Sequence, residues 1–204
     1  ITKDFESVIE KPADPVKDGH TFLGWYSNLE YTSTYQFTSM PAEDLTLYAK
    51  WSINTYSISF IDYDDSIIKT IDYEYNETLD LEFPEDPSRV GYTFMGWEDT
   101  EYVTMPASNL FISAVYTINQ YKITYNTNGG SIVQETLYDY NAEVLEPESI
   151  KEGYSIEGWY LDEELTERYT FTTMPAEDLT LYAKWEIATY TITYHLDGGM
   201  NSSD

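Results

Sequence analysis

The residues best suited to acid–base or metal chemistry are two histidines, and neither recurs within the chain. His20 stands in a Gly-His-Thr-Phe segment whose counterparts carry Tyr92 and Tyr154, and His195 stands where an earlier segment carries Asn126. A catalytic or ligating histidine in a repeated protein is expected in more than one copy. We therefore interpret both histidines as structural or surface residues.

Acidic side chains are the second candidate for chemistry. Asp62, Asp64 and Asp65 lie within one short stretch, and closely spaced carboxylates are the ligands that calcium prefers. Calcium loops usually also contain a glycine for their sharp turn, and this stretch has none. With 37 acidic residues, carboxylate pairs that would suit a glycosidase arise without any specific role. The three aspartates remain calcium candidates, but solvated surface charge is the favoured interpretation, and no metal or cofactor is predicted.

Aromatic side chains could stack on sugar rings, but a small folding unit also needs large side chains to bury enough area. The tryptophans stand at positions that we interpret as structural: Trp25, Trp51, Trp97, Trp159 and Trp185. Three aromatic residues on the opposite strand face are the candidates for a binding surface: Tyr48, Phe111 and Tyr182.

No nucleophilic or phosphate-binding motif is present. The chain has no cysteine, which excludes a disulfide, a thiolate zinc site and a thiol nucleophile. Lys50 and Lys184 could in principle enter a Lys–Asn isopeptide crosslink, but Val115 occupies the equivalent position of the middle copy, so this is not favoured. We predict that the chain is not an enzyme.

The net charge of −27 argues against nucleic acid or an anionic membrane surface as a partner, because phosphate recognition depends on Lys and Arg. No apolar run is long enough to span a membrane, so no membrane insertion of this segment is expected. The 21 Tyr, 8 Phe and 5 Trp distinguish the chain from a disordered acidic tail. We expect it to fold.

Internal similarity defines the elements that must position these residues. Twelve residues, MPAEDLTLYAKW, occur identically at 40–51 and 174–185. Three motifs each occur three times: a Gly-x-x-x-x-Gly-Trp segment at 19–25, 91–97 and 153–159; Met-Pro-Ala from 40, 105 and 174; and a Tyr-rich alternating segment at 56–60, 121–125 and 190–194. The Met-Pro-Ala spacings of 65 and 69 residues give a unit of about that length.

Alternation with a period of two predicts strands rather than helices. Leu45, Leu47 and Ala49 alternate with polar or aromatic residues, and the middle copy keeps this set while it changes the other. This is expected when one face is buried. After the first strand of a unit, Asn-Gly-Gly at 128–130 predicts a tight hairpin turn, which leads to a second strand over about residues 133–144. The middle copy has Tyr63-Asp64-Asp65-Ser66 in place of the Gly-Gly turn.

The linkers are four residues long each time, at 52–55, 117–120 and 186–189, and all carry Ile second. A flexible tether would be longer and rich in Gly or Ser. We therefore expect a semi-rigid string of beads, on the order of 80–90 Å for three units. The predicted units are residues 1–51, which lack a first strand, 54–116, which are shortened, 119–185, and 188–204, the first strand of a fourth. A permuted division, in which each last strand combines with the next first strand, stays open.

The ordered motifs resemble the internalin B-repeat, also called the Listeria–Bacteroides repeat, over nearly the whole chain. The resemblance implies a mainly β fold made of small α+β, β-grasp-like units in tandem. It also implies a secreted or wall-attached bacterial surface protein, of which this chain would be a segment. The middle copy departs from the pattern because it lacks the Gly-Gly turn, seven residues after Gly-Trp, and the final Trp.

We therefore expect a non-catalytic stalk or spacer with a role in adhesion. The alternative is a binding module that recognises a glycan or a host protein through the variable outer strand face and loops. Neighbouring repeats of the same chain are the other expected partners.

Overall fold

A computed structural model describes residues 1–199, and all regular elements in this range are strands. They are β1 (His20–Tyr26), β2 (Tyr48–Ile53), β3 (Thr55–Ile61), β4 (Ile67–Glu74), β5 (Tyr92–Trp97), β6 (Leu110–Ile118), β7 (Gln120–Asn126), β8 (Thr136–Asp139), β9 (Tyr154–Tyr160) and β10 (Leu179–Ile187). The prediction of mainly β, tandemly repeated small sheets is confirmed, but the helical part of the expected α+β units is not found among residues 1–199. Residues 1–199 contain no helix, and hence none with the length and hydrophobicity to cross a membrane.

The third repeat forms a four-stranded sheet in the order β8-β7-β10-β9. Its central pair, β7 and β10, is parallel, and Ile123 lies opposite Leu179. The burial of β10 follows the alternation in the sequence, since Leu179, Leu181 and Ala183 are buried. These side chains share one core with Ile123, Val144, Trp159 and Met174.

The second repeat repeats this arrangement as β4-β3-β6-β5, with β3 and β6 as the parallel pair. Its core consists of Ile58, Phe60, Tyr73, Met105 and Ile112. The two complete repeats therefore place equivalent residues of their first and last strands side by side.

The first repeat is different because β1 and β2 form a sheet of only two strands. Residues 1–51 contain no buried hydrophobic side chain. Trp25 is half-buried where Trp159 is completely buried, and Leu47 is half-buried where Leu181 is completely buried. The identical segments at 40–51 and 174–185 thus occupy different environments.

The expected tight Gly-Gly hairpin is wrong for the third repeat, and the strand expected over about residues 133–144 is shorter than predicted, since only Thr136–Asp139 form β8. Residues 127–135 separate β7 from β8, and β8 pairs with the first half of β7, where Ile123 lies opposite Thr136. The physical reason is that Trp185 of β10 packs against Gly130 and donates to the carbonyl of Thr127. The loop therefore folds over β10 before it returns. The tight hairpin occurs in the second repeat, between β3 and β4.

Each Met-Pro-Ala segment is held by the same pair of backbone hydrogen bonds. Met105 N donates to Glu77 O at 2.9 Å, and Asn76 N donates to Met105 O at 2.8 Å. Met174 is held in the same way by Ala142 and Asn141, and Met40 by Ser7 and Glu6. The following proline favours the extended backbone that these bonds require. This pair of hydrogen bonds joins the segment before the last strand of each repeat to the loop that precedes its Gly-Trp segment.

The described chain separates into two compact units. The first contains Ile1–Pro87 and Phe94–Tyr116, and the second contains Ser88–Thr93 and the chain from Thr117 onward. Ser88–Thr93, which include the first two residues of β5, thus belong to the same compact unit as the third repeat.

Candidate functional sites at the joints and on the outer strand faces

The first joint is a single residue, Asn54, between β2 and β3. Its backbone N–H donates to Gly19 O at 2.9 Å, and its carbonyl accepts from Tyr75 N at 2.9 Å. Its side-chain oxygen accepts a hydrogen bond of 2.6 Å from the Thr21 hydroxyl. Asn54 therefore joins the start of β1 in one repeat to the residue that follows β4 in the next through three hydrogen bonds.

An aromatic ring completes the first joint. The ring of Tyr75 lies directly against Gly19, whose φ is 64°, and a Cβ there would overlap the ring. The His20 ring meets Tyr75 edge-on at 5.7 Å between centroids, and His20 Nδ1 lies 2.7 Å from Asp18 O. The structure thus places His20 in the joint, where it packs against an aromatic ring.

The second joint, which lies entirely within the second compact unit, repeats these contacts. Asn119 N donates to Gly91 O at 2.9 Å, Tyr140 N donates to Asn119 O at 2.8 Å, and Thr93 Oγ1 donates to Asn119 Oδ1 at 2.6 Å. The Tyr140 ring covers Gly91, whose φ is 76°. Tyr92 takes the place of His20, with its ring centroid 6.0 Å from that of Tyr140.

The third joint keeps only part of this set. Ala188 N donates to Gly153 O at 3.0 Å, but alanine has no side-chain oxygen with which to accept a bond. Gly153 keeps a φ of 78°, and no heavy atom beyond its chain neighbours lies within 4 Å of the position that a Cβ would occupy. The glycine is therefore present without its covering ring.

Sequence reasoning identified the constant linker length but missed the residues that build the joint. Asn54 and Asn119 occupy the same linker position, and Tyr75 and Tyr140 each follow their asparagine by 21 residues. That shared spacing was the signal that could have found them.

The calcium candidates lie in the tight turn between β3 and β4, where they make local hydrogen bonds. Asp62 Oδ1 accepts from Tyr116 OH at 2.6 Å and from Tyr63 N at 2.8 Å. Asp64 accepts from Ser66, and this hydrogen bonding lowers the pKa of Asp64 below its ordinary value of 3.8. Asp65 has a positive φ of 63°. Within residues 1–199, no group of three or more His, Cys, Asp or Glu side chains is placed to hold a metal ion.

The three candidates for a binding surface lie on three different repeats and differ in exposure. Tyr48 and Tyr182 are half-buried, whereas 58% of Phe111 is exposed. Tyr182 donates to Glu163 Oε1 at 3.3 Å. Partial burial and the nearby carboxylates of Glu163 and Glu164 raise the pKa of the Tyr182 hydroxyl. Phe111 is therefore the most accessible of the three.

The five tryptophans lie in or beside the apolar interiors of their repeats. Trp159 is completely buried, and the other four are half-buried. The ring contacts are edge-on: Phe22 with Trp25 and with Trp51, Phe60 and Phe94 with Trp97, and Tyr125 with Trp159. Trp185 packs against the core of the third repeat.

The two lysines considered for a crosslink are paired with other groups. Lys184 Nζ lies 2.9 Å from Glu157 Oε2 and 3.4 Å from Tyr160 OH. The hydrogen bond from Lys184, followed by that from Tyr160, lowers the pKa of Glu157. Lys50 Nζ lies 5.2 Å from the centroid of the Tyr26 ring, which is a cation–π distance.

The second repeat exposes an edge that the other two repeats cover. In the first and third repeats, the segment after Gly-Trp returns along the edge strand, where Tyr35 N donates to Trp25 O and Tyr169 N donates to Trp159 O, both at 2.8 Å. The second repeat is seven residues shorter there. In its place lies an open cavity of about 460 Å³, with a lining that includes Phe83, Phe94, Met95 and Trp97.

One family model matches nearly the whole chain. The model of the Listeria-Bacteroides repeat domain matches residues 2–50, 56–114 and 121–184. Two proteins of Evansella cellulosilytica, which carry the provisional names of a Gly-rich membrane protein and a membrane protein, are 35% and 36% identical over 100% and 97% of this chain. The chain spans only 25% and 31% of their lengths.

Two further similarities cover less of the chain. Internalin H of Listeria monocytogenes is 37% identical over 58% of this chain and 23% of its own length. Among solved structures, domains 3–4 of the Streptococcal High Identity Repeats in Tandem from a cell surface protein align with 65% of this chain and 98% of theirs, at 14% identity and a TM-score of 0.30. A TM-score this low supports no inference about fold or function.

Proposed function

The chain belongs to the Listeria-Bacteroides repeat family, and from this we propose that it is a non-catalytic stalk or spacer segment of a bacterial cell-surface protein. The observation that carries the proposal is the recurrence of one joint: Asn54 and Asn119 each make the same three hydrogen bonds beneath a tyrosine ring. A joint of one residue with fixed partners restricts bending, which a spacer requires.

The location at the cell surface is part of the proposal. Its support is the similarity to internalin H and to two relatives that are named as membrane proteins. Because the chain spans a third or less of these relatives, we propose that an anchor or a further domain of the parent protein provides any attachment or adhesive activity.

The absence of catalysis is also proposed, on the ground that the candidate groups have structural partners. Asp62 is bonded to Tyr116, and His20 packs against Tyr75. We likewise propose the repeat boundaries 1–51, 54–116, 119–185 and 188–204, where residues 200–204 of the last unit lie outside the described residues. A β-grasp-like description of the complete repeats is supported by their strand order, in which the first and last strands form a central parallel pair.

Small-angle scattering of the full chain tests the stalk. A compact globule of this length would have a radius of gyration of about 17 Å. The proposal predicts a larger radius and a maximum dimension on the order of 80–90 Å, as for three beads in line. A radius near the globular value would overturn it. Replacement of Asn54 and Asn119 by Ala is expected to broaden the distance distribution while each repeat stays folded.

The second candidate function is recognition of a peptide or glycan at the exposed edge of the second repeat. It is favoured by the cavity beside β5 and by the exposure of Met95, 63%, and Phe111, 58%. An uncovered edge strand beside aromatic side chains can accept an extended peptide by strand addition. Array binding that is lost in Met95→Asp but kept in Leu23→Asp, the equivalent change on the first repeat, would support it. Equal effects of the two changes would contradict it.

A further inference from the structure

The third repeat covers the edge of its own sheet with an extended segment, residues 166–171, which we call the cover segment. Arg168 of this segment pairs antiparallel with Tyr160 of β9. The next residue, Tyr169, donates its N–H to Trp159 O at 2.8 Å. The cover segment therefore adds to the edge of β9 in the way that a further strand would.

The side chains of the cover segment show what this edge accepts. The Arg168 guanidinium lies over Gly158, where a Cβ would be only 2.8 Å from Arg168 Nε, and Arg168 Nη2 donates to Glu157 O at 2.9 Å. Tyr169 and Phe171 pack against the core of the third repeat, with their ring centroids 4.9 Å apart. The edge thus accepts an arginine followed by an aromatic residue, one further residue and a second aromatic residue.

The second repeat keeps this acceptor edge but has no cover segment. Gly96 and Trp97 of β5 correspond to Gly158 and Trp159 of β9. Apart from its chain neighbours, no heavy atom lies within 4 Å of the position that a Cβ of Gly96 would occupy. Among residues 1–199, the only strand that pairs with β5 is β6, so the outer edge of β5 is uncovered. The cause is internal to the chain, since seven fewer residues separate Gly-Trp from Met-Pro here.

Carboxylates surround the uncovered edge. Glu98, which is exposed, occupies the position that Tyr160 has in the third repeat, opposite the arginine of the cover segment. Three more carboxylates line the cavity of about 460 Å³ or a neighbouring cavity of about 430 Å³: Asp86, Asp99 and Glu101. No lysine or arginine is among the described residues that line these two cavities. The edge of the second repeat is therefore complementary to a cationic ligand.

We propose, on the basis of the second candidate function, that the uncovered edge of β5 binds an extended segment of a partner protein, antiparallel to β5, with the pattern arginine, aromatic, any residue, aromatic. In the bound segment the arginine lies over Gly96, opposite Glu98, and donates to the carbonyl of Met95. The N–H of the next residue donates to the carbonyl of Trp97, and its aromatic ring enters the cavity beside Phe83. Main-chain hydrogen bonds provide affinity, and the places for alternate side chains provide specificity.

Arginine suits this edge better than lysine does. Its planar guanidinium presents five N–H donors in a fixed geometry, so it can bond a main-chain carbonyl and a carboxylate at the same time. Lysine carries the same charge on a single compact ammonium group. A lysine at this place is therefore expected to keep the charge attraction and to bind more weakly.

Fluorescence anisotropy with the full chain and a labelled peptide of residues 165–172 tests the proposal. This peptide, Leu-Thr-Glu-Arg-Tyr-Thr-Phe-Thr, contains the cover segment of the third repeat and serves as a model of the partner segment. It should bind saturably, and its affinity should fall as salt is added, because salt screens the charges. Arg168→Glu in the peptide should weaken binding by at least about tenfold.

Two variants of the full chain locate the bound peptide. Glu98→Lys places a cation opposite the arginine and should weaken binding by at least about tenfold, whereas the peptide with Arg168→Glu should bind this variant better than it binds the parent chain. The matched control is Glu152→Lys, because Glu152 is exposed, lies in the third repeat and gives the same change of net charge. This control should bind the parent peptide nearly as well as the parent chain does. Both glutamates are exposed, so neither change is expected to unfold a repeat, which circular dichroism verifies.

A peptide that is N-methylated at Tyr169 separates strand addition from charge attraction. It lacks the N–H that would donate to Trp97 O, and it should bind at least about tenfold more weakly than the parent peptide. No saturable binding, equal effects of Glu98→Lys and Glu152→Lys, or full affinity of the N-methylated peptide would each overturn the proposal.

Other occupants of the edge give different results. Self-association of the full chain that the unlabelled peptide reverses would mean that a second copy fills the edge, which would overturn the choice of a partner protein. Glycan binding that is lost in Met95→Asp, together with no peptide binding, would overturn the peptide ligand and leave the second candidate function standing. The scattering test of the stalk does not depend on either result.

Discussion

The hydroxyl of Tyr116 donates a hydrogen bond of 2.6 Å to Asp62, which lies 54 residues earlier in the chain. Trp185 makes the equivalent contact in the third repeat, where its indole N–H donates to Thr127 O at 2.8 Å. In both repeats an aromatic residue of the last strand fixes the turn that follows the first strand. The second repeat thus has Tyr where the third has Trp, and its turn is different, with a carboxylate as the hydrogen-bond acceptor.

Tyr116→Phe should lower the free energy of unfolding of the second repeat by about 1–2 kcal/mol, because it removes a partly buried hydrogen bond to a carboxylate. Urea denaturation measures the change. A double-mutant cycle with Asp62→Ala isolates the pair, since residues in contact give coupled effects. Additive effects of the two changes would show that the bond contributes nothing.

Gly91→Ala should destabilise the second joint more than Gly153→Ala destabilises the third. Both glycines have φ near 77°, at 76° and 78°, so both alanines carry the left-handed backbone cost of about 1–2 kcal/mol. Only at Gly91 would the new methyl group displace a ring, that of Tyr140. Thermal unfolding of the two variants compares them, and equal losses would mean that the ring adds no stability.

The loop after Gly-Trp in the third repeat should loosen at acidic pH. Asp162 accepts from Thr166 N at 3.0 Å and from Glu167 N at 2.6 Å, and these bonds lower its pKa below 3.8. Because the folded pKa is the lower one, the stabilisation is complete above the unfolded value of 3.8 and is lost as the pH falls through the folded pKa.

Amide chemical shifts of Thr166 and Glu167 during an acid titration measure this loss. The first repeat is an internal control, because Asn28 Oδ1 accepts from Thr32 N at 3.1 Å and does not titrate in this range. Equal acid shifts at Thr32 and Thr166 would contradict the role of the carboxylate.

The first repeat should open more readily than the third. It has no buried hydrophobic side chain, whereas the third has a closed core. Hydrogen exchange should be at least about tenfold faster in residues 48–51 than in residues 182–185. These stretches belong to the identical twelve-residue segments, so their intrinsic exchange rates are nearly the same. Equal protection would mean that the difference in burial between the two repeats does not change how often they open.

Much of the fold was readable from alternation. The set Leu45, Leu47 and Ala49 was predicted to face inward because the middle copy preserves it. The equivalent residues of the third repeat, Leu179, Leu181 and Ala183, are buried, whereas the set in the first repeat is half-buried. Recurrence of Met-Pro-Ala located the start of each closing segment. These features are local, since side-chain period and proline geometry depend on near neighbours along the chain.

Features that depend on distant residues were not readable. The Gly-Gly turn at 129–130 was predicted to form a tight hairpin, but the loop is shaped by Trp185, which lies 58 residues from its acceptor Thr127. Asp62 was treated as a calcium candidate because its partner, Tyr116, is equally remote. The joint residues were missed for the same reason, since Asn54 and its partner Thr21 are 33 residues apart in the sequence.

The parallel pairing of β7 with β10 has a mechanical consequence. Tension on the chain enters the third repeat at the start of β7 and leaves it at the end of β10, which are opposite ends of two neighbouring strands. Pulling therefore slides the strands along each other and loads their hydrogen bonds together in shear, rather than opening them one at a time like a zipper. A repeat connected in this way resists extension along the direction in which its neighbours pull.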